Sequence, residues 1–159
     1  MAERRTQRKL AAIFAADAVG YSRLMGDDEE GTLAYEGKYE EAVGQFEKAI
    51  ALSPNDPQRW AFLTYGALAL IFKGDFETAL EWAERASVVP NRQYWTTAHI
   101  AVALAHLDRP NEARHAIATL LTEKPGFTCA MAQRKLFYIK RPEQLALYLD
   151  GLRKAGLPE

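Results

Sequence analysis

Gly74-Asp75-Phe76-Glu77-Thr78-Ala79-Leu80, followed by Trp82, Ala83, Ala86 and Pro90, decides how this chain folds, because its pattern recurs on either side. The earlier copy is Gly37-Lys38-Tyr39-Glu40-Glu41-Ala42, with Phe46, Ala49 and Pro54 after it. The later copy is Asp108-Arg109-Pro110-Asn111-Glu112-Ala113, with Ile117, Leu120 and Pro125. Each copy has a turn, an aromatic residue or Pro two positions on, then Ala, and a small or apolar residue seven beyond that Ala. The first and third also carry a bulky residue four after the Ala. The second has Ala83 there and the bulky Trp82 one residue early. The signature alanines, 42, 79 and 113, are 37 and 34 residues apart. A recurring interval of this size marks small structural units stacked in series.

Working outward, each unit reads as a helical hairpin. Small residues let two antiparallel helices approach, and a bulky residue one turn later fills the space beside them. Trp82 has to fill its gap from a neighbouring angle. Gly37 and Gly74 stand where the chain reverses between helices. Pro54, Pro90 and Pro125 close the second helix of each unit. Apolar stretches between these helices supply the first helices. One spans 60–73, with Leu63, Gly66, Ala67 and Leu70 on one face. The other spans 94–107, with Ile100, Ala101 and Leu104 inward. Asp56 and Asn91 are candidate N-caps. After Pro125-Gly126 the sequence predicts helices near 128–139 and 142–155, with Pro142 in a first turn. Leu145, Tyr148, Leu149 and Leu152 form a stripe on the last helix, expected to cap the final unit. The expected fold is all-α, about three hairpins plus a C-terminal capping helix. Residues 35–159 form this domain; residues 1–34 form a short irregular or strand-like N-terminal arm that breaks the pattern.

Composition narrows the function. The chain has 159 residues, 48% hydrophobic and 26% charged, which suits a packed fold. The net charge is −1 and the isoelectric point about 6.3, so no global field favours nucleic acid. Basic residues cluster at Arg4, Arg5, Arg8 and Lys9, read as a solvated end. Cys129 is the lone cysteine, which excludes an internal disulfide and any Cys-rich zinc site and suggests a cytoplasmic setting. The apolar run 10–16 imitates a secretory leader but is short, and Asp17 breaks it off with a charge. No run approaches the ~18 apolar residues of a membrane span.

Two resemblances add to this reading. From about residue 35 onward the units resemble the tetratricopeptide family, which implies a right-handed superhelix whose first helices line a concave surface for peptides or partner domains. The first 34 residues resemble the start of a class III adenylate/guanylate cyclase catalytic domain. The stretch Arg8-Lys9-Leu10-Ala11-Ala12-Ile13-Phe14-Ala15-Ala16-Asp17-Ala18-Val19-Gly20-Tyr21-Ser22 carries that likeness. Asp17 matches the family's first metal-binding aspartate. The closing Leu152-Arg153-Lys154-Ala155-Gly156-Leu157-Pro158-Glu159 is similar to the end of repeat-bearing bacterial cyclases. The chain thus resembles such a cyclase with its catalytic middle missing. The family's second aspartate, base-reading residues and transition-state Asn/Arg pair find no counterpart, and cyclisation needs two ions held by several oxygen ligands. The resemblance therefore implies no autonomous enzyme and no cofactor, with Mg or Mn entering only if another chain completes the site. The alternative function it implies is a regulatory relative that pairs with an intact cyclase.

Repeat register places the candidate partner-binding residues. Tyr65, Leu68 and Phe72 project from the first helix of the second unit. Trp95, His99, Val102 and His106 project from the first helix of the third. Either they anchor a partner helix or peptide, or neighbouring units and the cap helix bury them. They carry no Lys, Arg and Asn set for clamping a terminal carboxylate. His99 and His106 are two turns, roughly 10 Å, apart, too far to share one metal. Ser22, Ser53 and Ser87 lack the surroundings of a nucleophile. The expected partner is a protein or peptide, or in the alternative reading an intact cyclase, with neither nucleic acid nor a membrane span involved.

Overall fold

The computed structural model describes residues 39–52 and 54–159. Among them are seven α-helices and no strand: α1 Tyr39–Leu52, α2 Arg59–Lys73, α3 Phe76–Ser87, α4 Trp95–His106, α5 Pro110–Glu123, α6 Cys129–Lys135 and α7 Pro142–Ala155. The arm at 1–34, with Asp17, lies outside the described residues.

Local chemistry explains the tight reversals. Gly74 ends α2 in the left-handed region (φ 84°), where a side chain would be strained. Its N–H donates to the Ile71 carbonyl at 3.0 Å, and that of Asp75 donates to Leu70 at 3.0 Å. The Asp75 carboxylate then accepts the Thr78 N–H at 3.2 Å and caps α3. Two residues thus close one helix and open the next, which forces α2 and α3 to run antiparallel. One period later Asp108 takes the same left-handed role (φ 56°), with the Arg109 N–H on the Leu104 carbonyl at 3.0 Å. Pro110 begins α5, where its missing N–H costs nothing.

The helices stack in chain order. α2 packs on α1 and α3, α4 packs on α3 and α5, and α2 also touches α4. The signature residues Ala42, Ala79 and Ala113 are all fully buried in these seams. A buried hydrogen bond of 2.8 Å joins Thr64 of α2 to Thr96 of α4. Arg92 ties three helices together. It donates to the Ser87 carbonyl at 2.7 Å, Thr97 at 3.2 Å and Glu123 at 2.7 Å. Thr97 also donates to Glu123 at 2.8 Å.

Some local expectations shift. Asp56 does not cap α2; its carboxylate accepts the Gln58 N–H at 2.8 Å in the turn before the helix. Asn91 is left-handed (φ 64°), and α4 starts four residues later at Trp95. The helix expected over 128–139 stops at Lys135, so Leu136 to Lys140 form an irregular link to α7. Thr128 caps α6 through the Met131 N–H at 3.2 Å. The Cys129 N–H holds the C-terminal tail through the Pro158 carbonyl at 2.7 Å.

Candidate functional site

α7 packs mainly on α4, with lesser contacts to α5, α6 and α2. It thereby meets the α4 members of the candidate set: Tyr148 lies against Trp95 and His99, and Gly151 against Val102 and His106. Tyr148 is fully buried, with its hydroxyl 2.7 Å from His99 Nδ1. Gly151 allows the closest approach: a Cβ there would stand 2.8 Å from Val102 Cγ1 and 3.0 Å from His106 Nε2. His106 Nε2 lies 3.0 Å from the Leu147 carbonyl, and its ring stacks on Phe76 at 4.6 Å.

The seven candidate residues divide accordingly. Leu68, Phe72, His99 and Val102 are buried. Leu68, Phe72 and Val102 are core and offer no face to a partner; the last helix packs on His99 through Tyr148 and on Val102 through Gly151. His106 is half-buried and engaged by α7. Tyr65, Trp95 and the largely buried His99 line one opening.

That opening is a pocket of about 360 Å³ between α2, the start of α4, and the α6–α7 link. Its aromatic lining is Tyr65, Tyr94, Trp95, Phe137 and Tyr138. Gln93 and His99 add polar groups, and Arg134 and Lys135 supply the charge. Trp95 is held by its neighbours. Its ring lies 5.2 Å from Tyr94, 5.6 Å and perpendicular to Phe127, and 6.5 Å from Tyr148. Such offset and edge-on contacts stabilise a ring beyond its area burial and fix its orientation. Phe127, in the link between α5 and α6, is fully buried, so this anchor rests on a core side chain.

The electrostatics are one-sided. Burial lowers the His99 pKa to about 3, so the imidazole is neutral at pH 7. Burial also pushes the Tyr94 and Tyr138 hydroxyls above their ordinary value, leaving both uncharged. No carboxylate lines the pocket among the described residues. Arg134 and Lys135, both exposed, form no ion pair among those residues. They open the run Arg134-Lys135-Leu136-Phe137-Tyr138-Ile139-Lys140-Arg141, which has two cations at each end and no acid. Phe137 within it is 69% exposed, unusual for a large aromatic side chain.

Sequence reasoning missed this second basic cluster because 134–139 read as the end of a helix. The paired cations bracketing an apolar run were the available signal. Groups of His, Cys, Asp and Glu able to hold a metal are absent among the described residues, as is any helix long and apolar enough to cross a membrane. The pocket offers aromatic faces, an amide and two cations, which is the chemistry of binding. Comparison with protein-family models, curated proteins and solved structures gave no match to this chain.

Proposed function

We propose that the chain is a protein-interaction module of the tetratricopeptide type, which docks a peptide segment of its partner in the pocket around Trp95 and works without catalysis of its own. The repeated reversals at Gly74 and Asp108, one period apart, and the buried alanines of each hairpin support the repeat reading. The observation that carries the function is an open pocket whose central aromatic ring is already locked by core contacts. Pre-organised aromatic side chains are typical binding hot spots, because little freedom remains to be lost on association. Tyr148 of α7 supports the pocket from behind its lining, against His99 and Trp95.

Selection of displayed random peptides on the immobilised chain tests this. Enrichment of peptides that no longer bind Trp95→Ala is the expected result. Failure to enrich any peptide, or enrichment indifferent to Trp95, overturns the reading.

A further inference from the structure

Resting on that docking role, we infer the class of segment that binds: an acidic peptide stretch carrying one large apolar or aromatic side chain. The side chain enters between Tyr65 and Trp95, and its flanking carboxylates meet Arg134 and Lys135. Three observations lead there.

The first is size. About 360 Å³ lies at the low end of the roughly 300–1,000 Å³ typical of ligand sites, room for one bulky side chain rather than a helix face. The second is lining. Five aromatic side chains in the lining favour a planar or branched apolar group, with edge-on and offset packing available from rings such as Trp95 and Phe137. The third is charge. The pocket's two charged groups are both cations without ion-pair partners among the described residues, and Lys140 continues the field along the link. Glu123 does not offset them, because Arg92 and Thr97 already engage it. A basic or neutral segment would leave these cations uncompensated or repelled, whereas carboxylates beside the anchor complete them. A bilayer is too flat to enter the pocket. A nucleic acid strand would find its phosphates opposed by the chain's net charge of −1 beyond this patch.

Fluorescence anisotropy with the full chain provides the test. The probe is labelled Gly-Glu-Glu-Phe-Glu-Glu-Gly, compared with versions carrying Ser for Phe, Gln for Glu, and Lys for Glu. The acidic aromatic peptide is expected to bind at least ~10-fold more tightly than any of the three, and to weaken as salt screens the cations. The double substitution Arg134→Glu with Lys135→Glu, at exposed positions where circular dichroism should stay unchanged, is expected to remove that preference. Equal binding of the Gln and Glu peptides, both lost in Trp95→Ala, overturns the acidic class while the docking role survives. Absence of binding by every peptide overturns both. Tighter capture of anionic phospholipid vesicles or an oligothymidylate, abolished by Phe137→Ser, also overturns the inference by assigning the patch to another class of ligand.

Discussion

The backbone of Gly66 in α2 lies directly against the indole of Trp82 in α3, so that a Cβ on Gly66 would overlap the six-membered ring. This contact accounts for the irregular middle unit. The bulky residue that comes one position early reaches across the hairpin and fills the space above a glycine rather than beside an alanine. Glycine inside a helix ordinarily costs ~1 kcal/mol relative to Ala, so retaining it here trades helix propensity for close packing.

Gly66→Ala is therefore expected to destabilise the chain by about 1–3 kcal/mol despite the gain in propensity, since a rigid buried ring cannot swing aside. Urea unfolding of Gly66→Ala, Trp82→Leu and the double variant checks this. The double variant should be more stable than the sum of the single effects predicts, because the smaller side chain makes room for the added methyl. Strict additivity would show that the two residues do not share the site.

His99 makes stability depend on pH. Its folded pKa of about 3 lies below the unfolded value near 6.5. Between these values the unfolded chain binds the extra proton, so this contribution is intact above about pH 6.5 and declines as pH falls towards 3. Acidification from pH 7.5 to 5 should cost about 2 kcal/mol through this residue. Thermal melts at both pH values, repeated with His99→Leu, check it; the variant is expected to lose most of this difference even if less stable throughout.

Gly151 sets how closely α7 seats on α4. Gly151→Val should push α7 from Val102 and His106, costing about 1–3 kcal/mol. Hydrogen exchange should rise first in α7 and the facing turns of α4. Because Tyr148 helps support Trp95, the same variant is expected to weaken peptide binding. Unchanged exchange in α7 would mean that the seam yields elsewhere.

Arg92 links the end of α3, the start of α4 and the end of α5 through three acceptors. Arg92→Ala is expected to cost about 1–2 kcal/mol, tempered by partial exposure of the Arg92–Glu123 pair. Arg92→Lys should recover little of it, since one ammonium cannot reproduce the planar fork. Chemical denaturation of both variants distinguishes these outcomes.

Much of the fold was legible in the residues. Gly74 and Asp108, placed one period apart, identify the reversals, and Ala42, Ala79 and Ala113 identify the seams, because those constraints act within a few residues of chain. Hairpin geometry is local: a helix stop, a cap and a small residue at the contact are enough to define it. The extent of α6 was less legible, since Leu136, Phe137 and Ile139 continue an apolar pattern past Lys135, where the helix stops with Leu136 and Ile139 buried and Phe137 exposed.

By itself, then, the sequence determined the paired helices found among the described residues and the side chains available on each face. Only the tertiary structure decided which of those faces stays open. α7 packs on α4 with Tyr148 against His99 and Gly151 against Val102, Leu68 and Phe72 are buried as well, and Tyr65 and Trp95 are left beside Arg134 and Phe137. That choice depends on apolar surfaces from segments far apart in the chain competing for the same groove, and no period within one helix records the result.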